Sequence, residues 1–102
     1  LAEARIIATD PRIFYYAGRD YMLDKTGKNI RWINQGDETF SGLEQVALRK
    51  NMDVIVVLTD LGGKVALDDS QKYRKLKEFI GNSDRVDIYR ASDYVSGNKG
   101  TR

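Results

Sequence analysis

Residues 54 to 58 read Val-Ile-Val-Val-Leu, five large apolar residues in succession, four of them β-branched. β-Branching stiffens χ1 and favours extended backbone. A run without polar alternation has no face to offer water, so the segment from Asp53 to Thr59 is expected to be a strand covered on both sides. Such a strand needs a layer above and a layer below, which is the arrangement of α/β folds. A chain of 102 residues has room for one core of this kind and buries roughly 60–70% of its unfolded surface. The expected organisation is a single α/β domain over residues 1–95 and a flexible tail over 96–102, where no apolar residue offers an anchor.

The rest of the chain supplies the other elements. Ala4–Ala8 is a short β-prone run, and Ile13-Phe14-Tyr15-Tyr16 is aromatic and β-branched. Between them, Thr9-Asp10-Pro11-Arg12 suits a type I turn, because proline presets φ at the second turn position. The expectation is an N-terminal β-hairpin across Pro11, with a helix from Pro11 to Leu23 as its rival. Ser41-Gly42-Leu43-Glu44 fits a capping box that opens a helix ending near Asn51-Met52. Tyr73, Leu76 and Ile80 share helical spacing, so Ser70–Ile80 reads as an amphipathic helix stopped by Gly81. Val86-Asp87-Ile88-Tyr89 alternates and reads as a last, half-exposed strand. The fold class that follows is a small layered, Rossmann-like sheet with an N-terminal hairpin and parallel strands joined by helices. Ligands of such sheets sit beyond the carboxyl ends of the strands, here the loops Asp60–Gly63 and Gly36–Thr39.

Composition narrows the chemistry. The chain has neither cysteine nor histidine. Thiol nucleophiles, disulfides, thiolate metal sites and the Ser-His-Asp triad are therefore excluded. Any metal would be held by oxygen, which points to Mg²⁺, Mn²⁺ or Ca²⁺. Net charge is +2, from 17 basic and 15 acidic residues, too balanced to call for nucleic acid. No apolar run has the length of a membrane span, and no signal-peptide pattern is present, so the expected compartment is the cytoplasm. No nucleophile–base pair is visible, which sets hydrolytic catalysis last and a non-enzymatic role first.

Asp60 is the foremost candidate site residue. It lies one step past the buried strand, beside Thr59 and before Leu61-Gly62-Gly63. A carboxylate there could bind a cation or accept a phosphoryl group, whereas the ordinary alternative is a strand-end Asp in a turn. Thr39, after Gly36-Asp37-Glu38, is second; its hydroxyl could join Asp60 at one cation or simply cap a helix. Asp10 is third, with turn formation as its ordinary role. Asp68-Asp69 is expected at a helix start, where the dipole favours acids. Lys25, Lys28, Arg31 and Trp32 could form a small basic-aromatic patch, but four residues without a wider charge excess argue for it weakly, and a core position for Trp32 is the expected reading.

Two stretches resemble a known family. Gly36-Asp37-Glu38-Thr39-Phe40 and Met52–Gly63, with its Thr59-Asp60 ending, are similar to the second and third metal-site motifs of von Willebrand factor A-like domains, closest to the metallopeptidase-associated branch. Ile6–Phe14 looks like that family's antiparallel hairpin. The resemblance implies a protein-interaction module, assisted by Mg²⁺ (or Mn²⁺ or Ca²⁺) held by Thr39 and Asp60, with a protein partner completing the metal shell. Leu61 stands where the family has glycine, and the family's Asp-x-Ser-x-Ser motif is absent from the sequence. Without that strand, either another chain or segment fills a gap in the sheet, or the remaining strands pair directly. The alternatives are an assembly subunit, as a homo- or hetero-oligomer, and a domain resembling response-regulator receivers, with Asp60 as phosphoacceptor.

Overall fold

The computed structural model describes residues 4–16, 27–34 and 36–92. Five strands form one mixed sheet in the order β2-β1-β3-β5-β4. They are β1 (Ile6–Ala8), β2 (Asn29–Arg31), β3 (Val54–Asp60), β4 (Tyr73–Ile80) and β5 (Asp84–Ala91). Two short helices, α1 (Arg12–Tyr16) and α2 (Leu43–Arg49), and a 3₁₀ turn (Ala66–Asp69) complete the described elements. The small α/β class expected from the sequence is the one observed. The tail over 96–102, and most of the Pro11–Leu23 alternative, lie outside the described residues.

β3 is the centre of the sheet. On one edge it runs parallel to β1, with Ile6 opposite Val54 and Ala8 opposite Val56. On the other it runs antiparallel to β5, from Val54 opposite Arg90 to Asp60 opposite Asp84. Residues 54 to 57 are all buried. Ile55 and Val57 join the larger core with Ile7, Leu43, Ala47, Met52, Leu67 and Tyr89. Val54 and Val56 join a second cluster with Ala4, Ala8 and Phe14 on the opposite face. The unbroken apolar run is thus explained by the two layers it separates. β1 pairs directly with β3, with no strand between them.

The N-terminal hairpin is replaced by a strand followed by a helix. β1 is parallel to both its neighbours, and residues 12–16 are helical. The local chemistry accounts for this. The Asp10 carboxylate accepts the backbone N–H of Arg12 at 2.8 Å, as an N-cap does. Pro11 stands immediately before the first helical residue, where its missing N–H costs nothing and its fixed φ suits entry into the helix. The same two residues that start a turn also start a helix, and the burial of Phe14 favours the helix.

The helix expected over Ser70–Ile80 is also corrected: residues 73–80 are β4, paired antiparallel with β5 across a short turn. The register shifts between Lys75 and Lys77, leaving Leu76 as a bulge residue. One extra residue puts Tyr73 and Ile80, seven apart, on the same face, which imitates helical spacing. The stripe is not an inner one, since Leu76, Phe79 and Ile80 are exposed and only Tyr73 is buried. On β5 the expected alternation holds, and Asp87 and Tyr89 are its fully buried members.

Candidate functional site

The carboxyl end of β1 lies beside the middle of β3, with Ala8 opposite Val56, and is tied there by the Thr9 Oγ1, which accepts the backbone N–H of Leu58 at 3.0 Å. Asp10 follows β1 and is bound by Arg12 through Nε at 3.0 Å and through a terminal nitrogen at 2.7 Å. These hydrogen bonds hold its carboxyl below the usual range, with the charges of Arg12 and Arg31 adding to the effect. Asp10 is therefore committed to capping α1 rather than to the hairpin turn expected of it.

Thr39 belongs to a compact loop organised by Asp37. Thr39 donates its N–H (2.9 Å) and its hydroxyl (2.7 Å) to Asp37 Oδ1. Ser41 donates its N–H (2.9 Å) and hydroxyl to Oδ2. Four donors on one carboxylate, those of Ser41 foremost, hold Asp37 far below the ordinary carboxylate range. The loop also carries Phe40 at φ +56°, a left-handed conformation uncommon for a bulky residue. Burial of Phe40 against Trp32, with ring centroids 5.9 Å apart, holds it there. Trp32 is thus half-buried and packs against the edge of the core.

The expected capping box does not form. Gly42 is the N-cap of α2, without a side-chain cap; Ser41 is engaged by Asp37, and Glu44 accepts the Ser70 hydroxyl at 2.6 Å. Asp37, two residues before Thr39, takes over the organising role. The spacing Asp-x-Thr-x-Ser is the sequence signal that could have shown it.

Asp60 is exposed at the end of β3. Its carbonyl accepts the Gly63 N–H at 2.9 Å, closing the Asp60–Gly63 turn. A Cβ on Gly63 would come within 2.5 Å of Thr59 Oγ1, so the close approach that requires glycine is made by the chain itself. Thr39 and Asp60 share no hydrogen bond among the described residues. Thr39 is linked to this region only through its carbonyl, which accepts the Ala66 N–H at 2.8 Å. The Thr39 hydroxyl donates its proton to Asp37, and no group of three acidic side chains suited to a metal occurs among the described residues.

The strongest electrostatic feature lies on β4 and β5. Asp87 is fully buried, and Arg85 Nε donates to both its oxygens at 2.9 and 3.1 Å. The remaining Arg85 nitrogens donate to the carbonyls of Leu61 at 2.9 Å and Gly63 at 2.8 Å. Arg85 therefore fastens the turn after β3 to the β4–β5 hairpin. Lys75 lies 3.3 Å from Asp68, 3.3 Å from Glu78 and 3.6 Å from Asp87. Burial works against its charge, but the hydrogen bond to Asp68 and the field of Asp87 prevail and raise its pKa. The Tyr89 hydroxyl donates to Asp68 at 2.7 Å, and burial first, then this bond, pushes its pKa up. None of this is visible from residue spacing, because Asp68, Lys75 and Asp87 meet only after the hairpin folds onto the 3₁₀ turn.

A cavity of about 430 Å³ opens at the opposite end of β3, bordered by Asn51, Asp53, Lys72 and Tyr73, and includes neither Thr39 nor Asp60. No described helix is long and apolar enough to cross a membrane. The chain matches no protein-family model, no curated protein and no solved structure.

Two outcomes are expected. Arg85→Ala leaves a buried carboxylate without its closest partner and should cost ~3 kcal/mol in urea unfolding; adding Asp87→Asn to that variant should recover part of the loss. Asp37 and Asp10 have folded pKa values below their unfolded ones, so the stability they contribute is present above about pH 4 and is lost as pH falls through the folded values. Asp37→Asn should lower the melting temperature at neutral pH and flatten its decline between about pH 4 and pH 2, as followed by circular dichroism.

Proposed function

We propose that this domain is a non-enzymatic protein-interaction module that receives an extended partner segment along the outer edge of β4. The observation that carries this reading is the character of that strand. β4 is terminal in the sheet, and within five residues it displays Leu76, Phe79 and Ile80, with 49%, 52% and 66% of their surfaces exposed. A terminal strand offers backbone donors and acceptors in register, and alternate side chains supply selectivity. Phe79 on one face and Ile80 on the other, with Leu76 at the bulge, leave large apolar side chains exposed along this edge, and exposed apolar groups of this size mark contact surfaces.

The reading keeps the kind of function that the A-like resemblance implies but moves the contact from the rim at Thr39 and Asp60 to the far edge of the sheet. It requires no cation. Arg74, Lys75 and Lys77 give the strand a positive balance against the single Glu78, so a partner strand carrying acidic and apolar residues complements it.

Selection from a displayed library of random peptides tests the reading. The expected winners are extended, acidic and apolar sequences that slow amide exchange over residues 73–80 and lose at least tenfold affinity against Phe79→Ala and Ile80→Lys. Winners that bind these variants as well as the parent, or that protect another region, would overturn it.

A further inference from the structure

Given that reading of β4 as a contact edge, we infer that one occupant of the edge is β4 of a second copy, paired antiparallel about a two-fold axis between Leu76 and Lys77. The segment Tyr73-Arg74-Lys75-Leu76-Lys77-Glu78-Phe79-Ile80 is complementary to its own reverse. In this register Lys75 faces the second copy's Glu78 and Glu78 faces its Lys75. Arg74 faces Phe79, and Ile80 lies opposite Tyr73. Every charged residue meets an opposite charge, an aromatic ring or an aliphatic chain, and such cross-strand pairs are the units that stabilise a sheet.

The fold supports the register independently of the charges. Directly opposed residues of an antiparallel pair project to one face. On β4, Lys75 is opposite Tyr89 and Glu78 is opposite Asp87. Tyr89 and Asp87 lie on the same face of β5, two residues apart, so Lys75 and Glu78 share it. Arg74 and Phe79 lie opposite Arg90 and Val86 and share the other face. The bulge at Leu76 makes this possible: an unbulged strand would place residues 75 and 78 on opposite faces. Lys75 and Glu78 already lie 3.3 Å apart within one strand. Pairing two copies turns that contact into a square of four charges in which every neighbour is of opposite sign.

The same features reject other registers. A slip of one residue in one direction sets Lys77 against Lys77, and a slip in the other sets Lys75 against Lys77. Lysines and a bulge on an edge strand ordinarily discourage pairing. Here they select one alignment among several, which is how like-charge contacts produce specificity.

The cysteine-free sequence permits a register-specific test. Arg74→Cys and Phe79→Cys are made in separate chains, at exposed positions outside the Arg85–Asp87 contact. Mixed under mild oxidation, they should form a disulfide-linked pair containing one chain of each kind. Either variant alone should cross-link at least tenfold more slowly, because residue 74 of one copy lies five residues from residue 74 of the other. Sedimentation of the parent should show a concentration-dependent dimer, and Glu78→Lys should raise its dissociation constant about tenfold. A parent that stays monomeric at millimolar concentration, or cross-linking of Arg74→Cys with itself as fast as in the mixture, overturns the inference. If β4 then still takes selected peptides, only the homotypic occupant is lost; if it takes neither, the interaction reading falls with it.

Discussion

β3 is hydrogen-bonded along both edges and covered on both faces, and the rest of the molecule takes its position from that double constraint. Its parallel contact with β1 draws in α1 and β2, and its antiparallel contact with β5 draws in β4. Its two faces separate the core around Leu43, Ala47 and Tyr89 from the cluster around Phe14. A polar residue at any of positions 54 to 57 would enter an apolar layer, where an unpaired group is costly. The change from parallel to antiparallel pairing also falls at β3, so its carboxyl end meets both the β1 rim and the turn of the terminal hairpin.

The charged groups show how such a small domain organises its loops. Arg85 satisfies a buried carboxylate with one nitrogen and two backbone carbonyls with the others. The planar, multiply donating guanidinium is suited to this; a lysine could not span the same set. Asp37 does the reverse for the loop before α2, gathering four donors on one carboxylate. Both residues hold loops that precede or follow the carboxyl end of β3. Asp60 and Asp84 stand opposite one another where β3 ends and β5 begins, a like-charge pairing that works against the sheet.

In the terminal hairpin, anchoring charges and exposed apolar side chains interleave along one strand, β4. Lys75 links Asp68, Glu78 and Asp87 on the inner side, while Leu76, Phe79 and Ile80 remain exposed along the outer edge. Those charges fix the position of β4 against β5 and the 3₁₀ turn.

The chain's own residue pattern was sufficient for the central strand, for α2 and for β5, because the covered run at 54–58, the apolar stripe of Leu43 and Ala47, and the alternation at 86–89 are local signatures of burial. It was also sufficient for the layered α/β class. It was ambiguous at Asp10-Pro11, whose chemistry starts a turn and a helix equally well, and the burial of Phe14 beside β1 decided for the helix. At 73–80 it misled, since a bulge residue gives a strand the spacing of a helix, and only pairing with β5 distinguishes them. The direct contact of β1 with β3, and the meeting of Asp68, Lys75, Arg85 and Asp87, belong wholly to the tertiary structure. Residues distant in sequence interact through the distance and dielectric that folding creates, and no local pattern encodes either.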